Sequence, residues 1–425
     1  MNRREYLSHF MVLLSGTAAA QAANLLSYPL LTRLYTPADF GGLAIFIAAA
    51  AIPGAVACGR FDLAVPTAPR WGRFAIFWLC LVISAGLGLV SILGAALYWW
   101  WSGTAADPVM PPLLGLCVFL TGFTNAAQLY LMRHDRYRLS SASLLARTGG
   151  TVLLQVALAF VWRTPLALVL GYSFGLMLQG IMLGSAIWRG ASPGRPRAGP
   201  MRVMFRRYRR QVGIDIPSTF IAALSNNMMN FLLLGLYGQR ILGFYSLGNR
   251  IAIMPLQLFN DSLSQVFFQK AARAQEETGG FWTQMKFNVL VSGLLSLGVL
   301  VGIWLFARPF ITLYLGRDWA PAADILLILA PMLAMRSLCM SIATAVFVLK
   351  KPSWLLFHNI ANAAVLLVAY AIASRLGIGA YAFFRLAAIA LFVEYLAFTL
   401  FLVSVVFRSR GAVPVVPPAR SGNLS

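Results

Sequence analysis

Stretches of about twenty residues with almost no charge recur from one end of the chain to the other. Each is long enough, at about 1.5 Å per helical residue, to cross ~30 Å of hydrocarbon. Lipid offers the backbone no hydrogen bonds, so a chain carrying many such runs must satisfy its N–H and C=O groups inside helices. The predicted class is an all-α polytopic membrane protein. Composition agrees: 60% of the 425 residues are hydrophobic and 11% are charged, against about 25% charged in soluble domains. A soluble enzyme with a single anchor is excluded.

The apolar runs predict twelve spans, near 9–32, 41–59, 74–101, 110–132, 141–162, 165–188, 213–237, 241–267, 286–306, 321–349, 354–374 and 378–407. The first follows Arg3 and Arg4 and contains Ala18 to Ala23, as a cleaved signal would, but stays apolar to Leu31. A signal's apolar core is only about 7–15 residues long, so a retained helix is expected. Both termini and the even-numbered connections carry 23 Lys and Arg, the odd-numbered ones 6. By the positive-inside rule both termini are expected in the cytoplasm. The one sizeable connection, 189–212, carries eight arginines among Pro and Gly. It reads as a basic cytoplasmic linker resting on anionic membrane lipids. The tail, 408–425, reads as disordered.

Shifting the chain by 202 residues superimposes Leu34-Tyr35 on Leu236-Tyr237, Asn24 on Asn226 and Gly41 on Gly243. With six spans per half, the copies share one orientation. The expected architecture is two six-helix bundles, 1–188 and 213–407, related by a pseudo-two-fold along the membrane normal around a central cavity.

Polar residues in the spans fall on stripes. Thr17, Gln21, Asn24 and Tyr28 share a face of the first span, and Asp215, Ser218, Thr219, Asn226 and Asn230 form a stripe on the seventh. Ser246, Arg250, Gln257, Asp261 and Ser264 line the eighth, and Thr121, Thr124, Asn125 and Gln128 the fourth. Such stripes glue helices together or face water. Five arginines lie within or at the ends of spans: Arg60, Arg147, Arg250, Arg336 and Arg385. Arg336, nearest mid-membrane, costs about 2.5–3.5 kcal/mol there and needs a partner or a wet cavity. Glu394, at similar depth, is the candidate partner. The acids Asp62, Asp215, Asp261 and Glu394 are fewer than the arginines, so a cavity they shared would be cationic and suited to a phosphate-bearing lipid or a small anion.

Gly171-x3-Gly175, Gly180-x3-Gly184 and Gly298-x3-Gly302 predict close helix contacts, and Pro53, Pro255 and Pro331 predict kinks. Cys58, Cys80, Cys117 and Cys339 are isolated in apolar runs and read as buried hydrophobes. His9, His134 and His358 lie far apart, so no metal site, cofactor or nucleotide fingerprint is expected. Nor is a nucleic-acid partner, because the basic residues follow membrane topology.

LLSGTAAAQAANLLSYPLLTRLYTPADFGGLAIF, from Leu13 to Phe46, resembles the first two helices of Wzx-type polysaccharide flippases. These belong to the multidrug/oligosaccharidyl-lipid/polysaccharide exporter superfamily. Arg60-Phe61-Asp62 is similar to that family's motif at the end of helix 2, with Asp62 in place of Glu. GFYSLGNRIAIMPLQLFNDSLSQVFFQKAA, from Gly243, resembles its helix 7–8 stretch, with Arg250 at the matching arginine and Lys270 where proline is common. LYLGRDWAPAADILLILAPM, from Leu313, is similar to the start of helix 10. The resemblance implies alternating access for an undecaprenyl-diphosphate-linked oligosaccharide in the bacterial inner membrane, in company with other polysaccharide-assembly proteins. Arg60, Arg250 and Arg336 would draw in the anionic headgroup, with Arg147 and Arg385 as further cations. Gln21, Asn24, Asn226 and Gln257 would hydrate the glycan, and Asp62, Asp215, Asp261 and Glu394 would balance charge or couple to an ion. An ion-coupled drug or small-molecule antiporter on the same fold, and a polysaccharide polymerase or ligase, are the alternatives.

Overall fold

The computed structural model describes residues 3–65, 68–69, 72–102, 107–134, 136–190 and 198–408. Among the described residues there is no strand. The helices are α1 (Arg3–Leu34), α2 (Pro37–Ala55), α3 (Gly72–Ser102), α4 (Met110–Met132), α5 (Tyr137–Ala159) and α6 (Pro165–Gly190). They continue as α7 (Ala198–Thr278), α8 (Trp282–Tyr314), α9 (Ala320–Ile342), the short α10 (Ala345–Val348), α11 (Ser353–Leu376) and α12 (Ala380–Arg408). Two 3₁₀ turns, Phe61–Ala64 and Arg317–Trp319, complete the chain.

Ten helical stretches among the described residues are long and apolar enough to cross a membrane. One of them, Asp215–Thr278, has 64 residues and extends for about 96 Å at 1.5 Å per residue, enough for two crossings. Its two parts meet at Gly238, whose φ of 77° and ψ of −177° break the helix. Glycine tolerates that conformation without strain. The expected connection between the seventh and eighth spans is therefore a single-residue kink. With α1, at 32 residues, the chain is an all-α, multi-pass membrane protein of about twelve spanning helices.

Local chemistry sets the ends. Thr36 caps α2 and Asp39 completes a capping box, its Oδ2 accepting from the Thr36 N–H at 2.8 Å, with Pro37 at the first position. The second span ends at Ala55, four residues before the sequence places its end, just after Pro53. Only 191–197 of the predicted linker lie outside the described residues. From Ala198 it is helix, because Met201, Met204, Tyr208 and Val212 recur at three- and four-residue spacing and turn one face to the core. Arg202, Arg206, Arg207 and Arg209 are exposed on the remainder. Residues 409–425 of the predicted disordered tail lie outside the described residues.

The chain packs as two compact units, Met1–Asn249 with Pro309–Ala323, and Arg250–Arg308 with Asp324–Ser425. In the first, α5 packs on α1 and α6, and α4 on α2, α3 and α6. One core cluster gathers Cys58, Phe61, Ile76, Phe77, Tyr130, Leu183 and Met204. The return of 309–323 to this unit has a clear cause. Trp319, 1% exposed, is gripped edge-on by Phe40 and Phe244, at 5.2 and 5.8 Å between ring centroids. Its indole N–H donates to the Thr32 carbonyl at 3.4 Å. The Thr32 hydroxyl donates to the Leu315 carbonyl at 2.9 Å. In the second unit α11 packs on α12, and Phe267, Phe281, Met285, Ile342 and Leu402 form a core cluster.

Glycines decide where helices approach most closely. A Cβ on Gly175 would strike the Arg147 carbonyl and the Thr151 side chain, and one on Gly171 would meet the Thr151 carbonyl at 3.0 Å. The α5–α6 contact therefore uses the first predicted small-residue motif. Gly180 and Gly184 face Phe123 of α4, which a Cβ would meet at 3.6 and 3.3 Å. Gly298 and Gly302 do not behave this way: nothing among the described residues lies within 4 Å of a Cβ at either. That predicted contact is absent because the flanking Leu294, Leu297, Val301 and Leu305 leave this face of α8 exposed. All four cysteines are free and buried, as expected.

Candidate functional site

The predicted cavity residues fall in both units. In the first, α2 gives way to a tight turn in which Gly59 and Arg60 both take left-handed conformations, with φ of 54° and 60°. A non-glycine residue rarely does so, and the cost is of the order of 1 kcal/mol. The turn holds the half-buried Arg60 near the buried Asp62. Arg60 Nε is buried and makes no hydrogen bond among the described residues. Burial lifts the Asp62 carboxyl above its ordinary range, and Arg60 and the backbone N–H groups of Asp62 and Leu63 pull it partly back. Arg147, half-buried on α5, lies 5.6 Å from the Tyr172 ring centroid and donates to the Tyr172 hydroxyl at 3.3 Å. That fixes its guanidinium against α6.

On α1, Gln21 and Asn24 are half-buried, and Gln21 Oε1 is buried without a hydrogen-bond partner among the described residues. Asp215 is half-buried and Asn226 exposed. Thr17, Gln21 and Asn24 thus keep one partly accessible face, whereas Tyr28 is buried in the core.

In the second unit Arg250, Gln257 and Asp261 are all exposed. Their spacing of seven and four residues aligns them within about 40° around the helix axis. One flank of the same segment, about 100° round the axis, is committed to packing. Asn260 Oδ1 accepts from the Ser337 hydroxyl of α9 at 2.9 Å, and Leu256 and Phe267 are buried. The polar stripe is therefore an open face and not glue between helices. Ser264, expected on that stripe, is half-buried, 3.5 Å from the Met340 carbonyl.

Glu394 has a different partner from the one the sequence suggests. Its Oε1 lies 2.7 Å from Nδ1 of His358, and the two side chains are 9% and 2% exposed. His358 stacks on Phe398 at 4.3 Å, and Asn362 donates to the Tyr395 hydroxyl at 3.0 Å. Arg336, half-buried on α9, stands within electrostatic reach of Tyr395 and Cys339. Sequence reasoning missed His358 because a lone histidine in an apolar run carries no spacing signal. Arg385 is exposed near the start of α12.

Among the described residues no group of His, Cys, Asp and Glu is placed to hold a metal ion. Two cavities of the first unit report on its topology. One, of about 490 Å³, is lined from the first, fifth, seventh and ninth connections. The other, of about 320 Å³, is lined by Arg73, Phe74, Tyr130 and His134, at the second and fourth. Odd connections meet odd and even meet even, as alternating crossings require.

Helices and charges together define an all-α, multi-pass membrane protein with a polar face on one helix and acids and arginines within its spans. Solved structures agree. A lipid II flippase, MurJ, in an inward closed conformation superimposes with a TM-score of 0.73 at 12% identity, covering 94% of this chain and 90% of that one. An inward-facing multidrug resistance MATE family transporter of the MOP superfamily gives 0.69 at 14%, covering 95% and 99%. The sequence over residues 30–324 matches the model of the polysaccharide biosynthesis protein family, and the chain belongs to that family. The lipopolysaccharide biosynthesis protein WzxC of Escherichia coli (strain K12) is 21% identical over 182 residues, 43% of this chain. The match spans 36% of that relative's length.

Proposed function

We propose that this protein is a flippase. It carries an undecaprenyl-diphosphate-linked oligosaccharide from the cytoplasmic to the periplasmic leaflet of the bacterial inner membrane by alternating access, with both termini cytoplasmic. Membership of a polysaccharide biosynthesis family and likeness to a lipid II flippase support this reading over catalysis. The observation that carries it is the open face of Arg250, Gln257 and Asp261 on a helix that packs through its flank. Charges so placed in a spanning helix must meet water or a ligand.

Arg250 grips the anionic headgroup with its forked N–H donors, and Arg60, Arg147, Arg336 and Arg385 extend the positive field along its path. Gln21, Asn24, Asn226 and Gln257 exchange hydrogen bonds with the glycan, and the prenyl tail stays in lipid. Asp62, Asp215 and Asp261 balance charge, while Glu394, with one oxygen on His358 and the other unpartnered among the described residues, couples the cycle to an ion. The bundles are 1–188 and 213–407, joined by the basic segment 189–212, which rests on anionic lipids, and followed by the tail 408–425. The likeness to a multidrug transporter keeps an ion-coupled small-molecule antiporter as the second reading.

The test is delivery of labelled lipid-linked oligosaccharide to the outer leaflet in cells depleted of the protein. Delivery should stop and return with the wild-type gene; undiminished delivery overturns the flippase reading. Increased drug sensitivity with normal glycan delivery would favour the antiporter.

A further inference from the structure

Six arginines occupy the odd-numbered connections, and three of them, Arg33, Arg163 and Arg240, line the 490 Å³ cavity. They arrive from the end of α1, the α5–α6 connection and the segment after the Gly238 break. The only acid in the lining among the described residues is Asp318. Among the described residues Asp318 forms no ion pair with any of them, whereas Arg308, outside the cavity, pairs with Asp324 at 3.2 Å. The cavity therefore gathers three guanidinium groups against one carboxylate. Like charges brought together raise the local potential and draw in a counter-ion.

The walls are fixed. Trp319 is held by Phe40, Phe244 and the Thr32 carbonyl. Tyr35 donates from its hydroxyl to the Gln155 carbonyl at 2.7 Å, and Arg240 lies 5.9 Å from the Phe244 ring centroid. Arg163 uses Nε on the Ala159 carbonyl at 3.3 Å, which leaves both terminal nitrogens to point elsewhere. The start of α2 lines the same space with Thr36, Pro37 and Ala38, its N-terminus already capped by Thr36 and Asp39. The volume falls within the ~300–1,000 Å³ typical of small-molecule sites.

We infer that this cavity, at the helix ends opposite the basic connections, is a binding site for a phosphate-bearing anion, held by Arg33, Arg163 and Arg240. Guanidinium forks match phosphoryl oxygens in pairs. A phospholipid headgroup and a soluble or substrate-borne diphosphate share this chemistry. The site goes beyond the transport reading and stands without it, because the experiment reads binding by purified protein and not translocation.

Purified full-length protein in phosphatidylcholine nanodiscs is titrated with inorganic pyrophosphate by calorimetry. In parallel, lipid retention is measured by native mass spectrometry after reconstitution with phosphatidylglycerol and phosphatidylcholine. The variants are Arg33→Gln, Arg163→Gln and Arg240→Gln, singly and together, with Arg375→Gln as an arginine outside the cavity. The expected result is salt-sensitive binding, weakened at least about tenfold in the triple variant, about threefold in each single variant, and unchanged in Arg375→Gln. Pyrophosphate binding identifies a soluble or substrate diphosphate as the source, and selective retention of phosphatidylglycerol identifies a headgroup. If wild type and variants behave alike in both arms, or Arg375→Gln loses as much as the cavity variants, the site does not exist. The single variants decide the matter if the triple variant does not fold.

Discussion

Gly41 and Gly243 each sit where the other's helical segment begins. A Cβ on Gly41 would drive into the carbonyl oxygen of Gln239, and one on Gly243 into the carbonyl oxygen of Pro37 and to 3.1 Å from the Gly41 nitrogen. Pro37 and Gln239, like the two glycines, stand 202 residues apart. The contacts therefore interchange under the same shift that aligns the two halves of the sequence. Such reciprocity marks a local two-fold relation.

Alanine at either position meets backbone, which cannot swing aside. Gly41→Ala and Gly243→Ala should each cost about 1–3 kcal/mol, the usual range for overpacking. The double variant should cost less than the sum, because one displacement relieves both clashes. Thermal unfolding in detergent measures this; additive losses would show that the two contacts are independent.

Removing one member of the His358–Glu394 pair leaves a polar or charged group stranded in a closed site. His358→Phe and Glu394→Leu should each destabilise by about 3–5 kcal/mol, while the two together should cost far less than the sum. A double-mutant cycle on folded-protein yield and thermal stability checks the coupling. A double loss equal to the sum of the two single losses would mean that the contact contributes nothing.

Burial lifts the Asp62 carboxyl, so the folded chain holds that proton more tightly than the unfolded one. Stability from this group therefore falls as pH rises from the ordinary carboxylate range through the lifted value. Asp62→Asn should be as stable as wild type or more so at neutral pH and should flatten that part of the pH profile. A profile unchanged by the substitution would remove the buried-carboxyl account.

Arg60 combines a charge with a left-handed backbone, and two substitutions separate them. Arg60→Gly keeps the turn and removes the guanidinium, whereas Arg60→Ala also keeps the φ penalty. Loss of a charge-assisted hydrogen bond, about 1.5–3 kcal/mol, corresponds to roughly tenfold or more. Polymer output should therefore fall about tenfold in both, with Arg60→Gly the more stable protein. Normal output from Arg60→Gly would assign Arg60 to the turn alone.

Arg250→Ala and Arg336→Ala address the headgroup directly. Both should fold, because Arg250 is exposed and Arg336 half-buried, and both should lower glycan delivery about tenfold on the same scale. Wild-type delivery from both would remove the anion-gripping role.

Much of this molecule could be read along the chain. Hydrocarbon demands about twenty apolar residues per crossing and internal backbone hydrogen bonds, so most spans and their ends followed from local composition. Gly171 and Gly175 announced the α5–α6 contact, and the 202-residue shift pointed to the reciprocal glycines. The misreadings share one cause, dependence on what lies across from a residue. Gly298 and Gly302 repeat the same pattern with nothing opposite them among the described residues, and the linker helix was hidden by its Pro and Gly beginning.

Partner choice belonged to the tertiary structure. Glu394 and Arg336 match in depth along their helices, but rotation about the helix axes brought His358 to the carboxylate, and a sequence records depth far better than rotation. Arg33, Arg163 and Arg240 lie in three separate connections, each unremarked alone. Only the packing of α1, α2 and α7 around Trp319, with α5 on α1, set them about one space. Sequence determined what crosses the membrane, because lipid imposes a one-dimensional rule on each segment. The fold decided which charges meet, because charge pairing is set by distances between segments.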